Sequence, residues 1–349
     1  MERIACIIDH IYIYWSSVIL CLAAGAAVCT FLALYLRREK RAAGALVFVP
    51  LAVALALVLS RLIYWYFRPD SYGTLEEALC FRDPGGFALM GVFAGCILAA
   101  VLIRVIGLEK DLPELLDCLS PALALGIAAG RLASFFNASG RGMAVSGQYG
   151  LPWAVSVINP VSGIPEHRLA TFLLQAMAAG LIFVVLLVIY LTGKNRRGDI
   201  FFMFLLFYGA VQIVLDSTRY DSLYLRSNGF ISAVQLLSAV AAVVVAIMWS
   251  VRMVCAGGWK KWHILLWLGQ AGSFSIAGYM EYYVQRHGNE ALFAYSVMGA
   301  ALAVFVILTL ATAAVAAAEK RRHDRWLSEI TAEKKGDSDG GNDCKRPGV

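Results

Sequence analysis

IYIYWSSVILCLAAGAAVCTFLALYL, residues 11–36, runs for 26 residues without a charge. A helix needs roughly 20 apolar residues to cross a hydrocarbon core about 30 Å thick, so this stretch can span a bilayer. It lacks a basic leader and a clear small-residue cleavage site, and reads as a retained span rather than a removed signal peptide. Eight further stretches read the same way: 42–66, 85–103, 115–136, 169–191, 200–215, 230–251, 264–280 and 291–318. The expectation is an all-α integral membrane protein of about nine transmembrane helices.

Composition agrees. Of the 349 residues, 60% are hydrophobic and 15% charged, against roughly 25% charged in soluble domains, and the mean hydropathy is +0.69. The charges are also unevenly spread, since residues 319–349 alone carry 15 of the 54. Too few polar residues remain to cover one water-soluble core. A soluble globular enzyme, a disordered chain and a nucleic-acid-binding module are thereby excluded. The eight cysteines show no Cys-x-x-Cys spacing and the five histidines no helical metal pair, so neither a disulfide framework nor a metal or other cofactor is implied.

Loop charges orient the spans through the positive-inside rule. With the N-terminus outside, the inner segments collect Arg37, Arg38, Lys40 and Arg41, then Arg104 and Lys110, then Lys194, Arg196 and Arg197, then Arg252, Lys260 and Lys261, then eight more in the tail. Deleting one span would invert every later loop. The expected layout is a seven-span domain over 1–251, two additional helices over 252–318, and a charged, disordered cytoplasmic tail over 319–349. The Lys-Arg-Arg at the start of that tail can touch anionic lipid.

Ionisable residues inside spans are costly and mark functional candidates. Five qualify: Arg61, Asp117, Arg131, Asp216 and Glu281. Arg61 and Asp216 lie near outer ends and could equally snorkel. Asp117 could cap a helix N-terminus, and Glu281, beside Tyr282 and Tyr283, fits an interfacial anchor. Arg131 is harder to explain structurally. It lies about five residues inside the interface, followed by Asn137 and Arg141, and a guanidinium there calls for an anionic partner such as a lipid phosphate. Outer segments combining Gly, hydroxyls and Arg (Ser139-Gly-Arg-Gly142, Arg82-Asp-Pro-Gly-Gly86, Asp216-Ser-Thr-Arg219) point the same way. The residues alone therefore suggest an outer site for an anionic head group or solute. The long outer segment 137–167, with Tyr149, Pro152, Trp153 and Pro160, reads either as an interfacial arm or as a plain surface loop.

Gly126-Ile-Ala-Ala-Gly-Arg-Leu-Ala-Ser-Phe-Phe-Asn137 resembles the prolipoprotein diacylglyceryl transferase family, whose fourth span carries Gly-Arg-Ile/Leu-Gly-Asn-Phe-x-Asn. Asp117 and Pro121 match the spacing of an Asp and a Pro in the same helix. Tyr208-Gly209, Asp216 and Arg219 resemble the Tyr-Gly-x-x-Arg pattern of the sixth span, and Thr171-Phe-Leu-Leu-Gln175 the Thr-x-Leu-Tyr-Glu of the fifth. Ser60-Arg61-Leu-Ile-Tyr64 and Gln235 also fall in order, so the likeness covers residues 11–251.

This resemblance implies transfer of a diacylglyceryl group from phosphatidylglycerol to the lipobox cysteine of a prolipoprotein, at the outer face of the bacterial cytoplasmic membrane. The implied partners are phosphatidylglycerol, the lipobox segment and membrane lipids, with no nucleic acid. Arg131 would be the main phosphate ligand, helped by Arg219, Arg61 and Arg141. Asn137 would orient the head group, and Tyr208 and Asp216 would serve at the reacting centre. Four positions depart from the family. Met90 stands where it has a His, Gln212 where it has an Arg, Gln175 and Ser139 where it has Glu. Three functions follow: an active transferase, a non-catalytic relative that binds anionic lipid or a lipoprotein, or a transporter of an anionic solute. The transporter is disfavoured by the lack of related halves.

Overall fold

A computed structural model describes residues 4–8, 11–38, 42–69, 74–79, 86–137, 139–144, 154–158, 163–193, 195–219, 221–225, 228–287 and 290–340. The described helices are α1 (Trp15–Arg38), α2 (Ala42–Phe67), α3 (Leu75–Leu79), α4 (Leu89–Val105), α5 (Leu112–Arg131), α6 (Thr171–Thr192), α7 (Asp199–Ser217), α8 (Ala233–Gly257), α9 (His263–Arg286) and α10 (Ala291–Gly340). A 3-10 turn, Leu132–Phe135, prolongs α5. Three antiparallel hairpins accompany them: β1 (Ile4–Ile8) with β2 (Ile11–Tyr14), β3 (Ala154–Ile158) with β4 (Pro165–Leu169), and β5 (Tyr224–Leu225) with β6 (Asn228–Ser232).

The protein is an all-α membrane protein. Seven of the described helices, α1, α2, α5, α6, α7, α8 and α10, are long and apolar enough to cross a bilayer, and α4 is a shorter apolar helix. Each expected span coincides with a helix, but four begin later than expected, at Trp15, Leu89, Thr171 and Ala233. Residues 11–14 form β2 instead of the first turn of α1, and residues 230–232 belong to β6. Ile-Tyr-Ile-Tyr is both apolar and strongly β-forming, so hydropathy alone cannot tell the two states apart. The tail also differs, because α10 continues past residue 318 to Gly340. Ion pairs one turn apart, such as Glu319 with Arg322 at 3.7 Å, support a solvated helix there. Tyr149, Pro152, Trp153 and Pro160, and the Arg82 to Gly85 stretch, lie outside the described residues. What is described of the 137–167 segment includes the β3–β4 hairpin.

The chain divides into two compact units, Met1–Ala241 and Ala242–Val349, and the division falls inside α8. In the second unit α9 and α10 pair antiparallel. Gln270 Nε2 donates to Thr312 Oγ1 at 2.9 Å, the rings of Phe274 and Phe305 lie 5.2 Å apart, and Lys260 Nζ meets Glu319 Oε1 at 2.6 Å.

In the first unit small residues set the closest helix crossing. A Cβ on Gly91 would lie 2.2 Å from the Ser60 Cα, and one on Gly95 would lie 2.4 Å from the Ala56 N. Gly91-x-x-x-Gly95 thus lets α4 approach the backbone of α2, the usual basis of tight packing where lipid removes any hydrophobic drive. Around this crossing Phe31, Phe48, Ile103, Leu115, Leu186 and Phe204 form the buried core.

The end of the unit that carries the N-termini of α5 and α7 is held by polar contacts. Asp117 accepts from the backbone N–H of Gly198 at 2.6 Å and of Phe201 at 2.9 Å. It therefore caps α7, supplying partners for N–H groups that a helix start leaves open. Arg38 and Arg197 both bind Glu114, at 2.9 Å each, and Arg197 also binds Asp111 at 2.8 Å. Tyr35 donates to Glu109 at 2.5 Å.

Candidate functional site

At the opposite end of the same unit, four of the expected site residues converge. Arg131 closes α5, Tyr208 lies midway along α7, Asp216 lies two turns further on, and Arg219 follows the helix. Arg131 is partly buried, and its guanidinium interacts with the Tyr208 hydroxyl, Arg219 and Asp216. Tyr208 is itself buried. The ring of Tyr208 is fixed by aromatic packing, stacked on Phe204 at 5.6 Å and edge-on to Phe93 at 5.7 Å.

Asp216 is 1% exposed, so it does not snorkel. It holds Arg219 through Oδ1, 3.2 Å from Nη1, and its Oδ2 accepts from the Ser232 hydroxyl. Ser232 also caps α8. Its Oγ accepts from the Gln235 N at 3.0 Å, while Gln235 Oε1 accepts from the Ser232 N at 3.0 Å. This reciprocal Ser-x-x-Gln box ties the start of α8 to the carboxylate that positions Arg219. Gln235 Nε2 reaches on to the Ile213 carbonyl at 3.2 Å. Asp221 clamps Arg219 from the other side, with Oδ1 at 3.1 Å from Nε and 3.0 Å from Nη2. Burial disfavours the charge on Arg219, but Asp221 and Asp216 outweigh it and raise its pKa above the ordinary arginine value.

The loop after α5 wraps the same corner. Asn137 Oδ1 accepts from the backbone N and hydroxyl of Ser139, at 3.0 and 2.5 Å, forming an Asx turn. Arg141 Nη2 donates back to the Asn137 carbonyl at 3.3 Å. Gly140 has φ +73°, its N–H donates to Asp221 Oδ2 at 2.9 Å, and its carbonyl accepts from Phe172 N at 2.9 Å. Gly142 bridges to Arg219, where a Cβ would come 2.4 Å from Thr171 Oγ1 and 3.1 Å from the Thr218 carbonyl. Thr171 and Thr218 hydroxyls meet at 2.9 Å.

A cleft of about 480 Å³ opens beside these contacts, lined by Met143, Ala144, Arg168, Ser217, Thr218, Arg219 and Tyr224. Arg168 reaches it from β4, where it is paired with Glu166. Two guanidiniums, hydroxyls and one aromatic edge make a surface suited to a phosphate-bearing polar group.

Arg61 contacts the residues just before α4. It is 1% exposed on α2, donates from Nη1 to the Gly86 carbonyl at 3.4 Å and lies over the Phe87 ring, so it is buried instead of snorkelling. Met90 is buried on α4 next to the Gly91 crossing. Glu281, on α9, accepts from Gln285 at 3.5 Å. Asp221, Arg168 and Ser232 join the site without having stood out in the sequence. Their only signal was membership of polar segments next to span ends.

Comparison with known proteins adds an independent line. The family model described as prolipoprotein diacylglyceryl transferase matches residues 3–251. The chain is similar to the phosphatidylglycerol–prolipoprotein diacylglyceryl transferase of Finegoldia magna, 31% identical over 206 residues, which cover 58% of this chain and 77% of the relative. Relatives carrying the same name in Oceanobacillus iheyensis (28% identical over 262 residues, 70% of this chain and 88% of the relative) and Lactococcus lactis subsp. lactis (29% over 231 residues, 64% and 85%) are similar too.

Proposed function

The chain belongs to the prolipoprotein diacylglyceryl transferase family, and from that premise we propose how its arginine site works. The protein is a multi-pass membrane transferase of lipoprotein maturation, with phosphatidylglycerol and prolipoprotein as substrates. We infer that the Arg131 end of the first unit faces outward, that the membrane is the bacterial cytoplasmic membrane, with the N-terminus outside and the C-terminus in the cytoplasm, and that the acceptor is the thiol of a lipobox cysteine.

In this proposal Arg131 and Arg219 bind the lipid phosphate from two sides. The thiolate sulfur attacks the glyceryl carbon esterified to phosphate, forming a C–S bond. The C–O bond breaks, and its electron pair leaves on the phosphate oxygen as glycerol phosphate, while the thiol proton passes to solvent. Charge grows on the departing phosphate, so donors fixed in advance around it lower the barrier. The Tyr208 hydroxyl, beside Arg131, donates to a phosphate oxygen. Asp216 already accepts two hydrogen bonds, one of them from Arg219; its part is to position Arg219. Arg141 and Asn137 shape the loop that closes over the head group, and Arg61 stabilises the α2–α4 corner behind it.

The observation that carries the proposal is the convergence of Arg131, at the end of α5, with Tyr208, Asp216 and Arg219, on and just after α7. The test is alkylation of a lipobox peptide by the purified protein in phosphatidylglycerol nanodiscs. Modified peptide with stoichiometric glycerol phosphate supports transfer. A second reading is favoured by Met90, whose thioether cannot take up a proton where relatives carry a His: the same site would bind anionic lipid without transfer. Phosphatidylglycerol binding with no peptide modification by correctly inserted protein would establish that reading instead.

A further inference from the structure

Two buried amides lie on α6 and α7, one helical turn from Thr171 and from Tyr208 and Asp216, and the transfer proposed above uses neither. Gln175 on α6 is 2% exposed and Gln212 on α7 is 1% exposed. Gln175 Nε2 donates to Gln212 Oε1 at 3.2 Å. That bond leaves Gln175 Oε1 and Gln212 Nε2 buried with no hydrogen-bond partner among the described residues. Exchanging oxygen and nitrogen in both amides reverses the donor yet leaves the same remainder, one acceptor on one side chain and one donor on the other. Folded proteins keep such buried unpaired groups few, so each one asks for an explanation.

Their placement supplies one. Residues four apart share a helix face, so Gln212 lies between Tyr208, which faces Arg131, and Asp216, which holds Arg219. Gln175 lies one turn along α6 from Thr171, whose hydroxyl meets that of Thr218 in the wall of the cleft. Gln212 is therefore flanked by Tyr208 and by the Asp216 that holds Arg219, and Gln175 adjoins the Thr171–Thr218 contact, so both amides border the arginine site. They are themselves neutral, and their leftover valences are one donor and one acceptor. A phosphate oxygen satisfies only the donor and repels Gln175 Oε1. A hydroxyl group, which both donates and accepts, satisfies the two together.

We propose that Gln175 and Gln212 form a hydroxyl-reading subsite. It takes the uncharged polyol part of the lipid head group while the arginines hold the phosphate, and so selects hydroxylated anionic lipids over others of equal charge. The assignment rests on the transferase proposal for its substrate.

The experiment compares two donor lipids of the same charge and chains, dioleoylphosphatidylglycerol and dioleoylphosphatidylmethanol, which lacks head-group hydroxyls. With full-length protein and lipobox peptide, kcat/KM is expected to favour phosphatidylglycerol by about tenfold or more, since a site built to bond a hydroxyl rejects an analogue without one. In Gln175→Leu/Gln212→Leu the ratio is expected to drop to about twofold or less, because an apolar pair has nothing left to satisfy. Gln212→Glu keeps the shape and removes the donor; it should also lower the ratio and serves if the double variant does not fold. A ratio that these substitutions leave unchanged overturns the subsite.

Heat stabilisation of the detergent-solubilised protein by the same two lipids needs no turnover. If the peptide stays unmodified but phosphatidylglycerol stabilises wild type more than phosphatidylmethanol does, and Gln212→Glu removes that difference, transfer fails and the subsite stands. Equal stabilisation of wild type by both lipids overturns the subsite whatever the activity.

Discussion

The two ends of α5 carry opposite charges and opposite economies of hydrogen bonding. At one end Asp117 is buried and the carboxylates are answered: two backbone N–H groups of α7 for Asp117, and two arginines for Glu114. At the other end Arg131 meets Tyr208 and a second arginine, next to amides with valences left over. Buried polar groups that are fully paired hold a structure together, whereas those left partly unpaired are the ones a substrate can satisfy. Charge inside a membrane span is thus not one kind of signal. What separates the two roles is whether the protein itself supplies the partner.

That contrast can be broken by substitution. The largest expected effect is on Arg131→Ala, which should lower peptide alkylation about 10²–10³-fold, the range for losing one fixed donor to developing charge, with little change in melting temperature. Full activity in this variant would remove Arg131 from the phosphate site. Asp117→Ala should do the reverse. Loss of the buried cap is expected to cost about 2–4 kcal/mol of stability, seen as a lower melting temperature, while alkylation per folded molecule stays within about twofold. If activity collapsed and stability did not, the structural assignment of that end would be wrong.

Asp216→Asn comes next. It keeps the shape but weakens the hold on Arg219, and about a tenfold drop in kcat/KM is expected, equivalent to about 1.4 kcal/mol. Lack of any change would mean that Asp221 alone positions the guanidinium. The smallest effect belongs to Arg197→Ala. Its side chain is 59% exposed, and exposed pairs contribute about 0–1 kcal/mol, so a melting shift of a few degrees at most should result. A larger one would show that the Glu114 network is tighter than its exposure suggests.

Much of this was legible in the sequence, though not evenly. Span positions were readable to within a few residues because lipid forces an apolar run of fixed length onto each crossing. The starts of α1 and α8 were misread where Ile-Tyr-Ile-Tyr and Phe-Ile-Ser suit a strand as well as a helix. Arg131, Tyr208, Asp216 and Arg219 stood out because charge and motif spacing are properties of one segment. Partnerships were not visible. That Asp117 caps α7 and not its own helix, or that Gln175 touches Gln212, depends on which helices end up side by side. Two positions, 175 and 212, that the resemblance marked separately turn out to face each other.

The junction between β2 and α1 has a mechanical side. Tyr14 ends the strand and Trp15 begins the helix with no residue between, and the Trp15 ring rests 6.1 Å from that of Phe136, beside the turn that follows Arg131. A ribbon welded to a rod cannot swivel independently of it. A roll of α1 about its axis therefore carries the strands of the hairpin with it. The hairpin is a pointer whose deflection reports on the first span, and a fluorophore near its turn would make that rotation measurable while lipid is taken up.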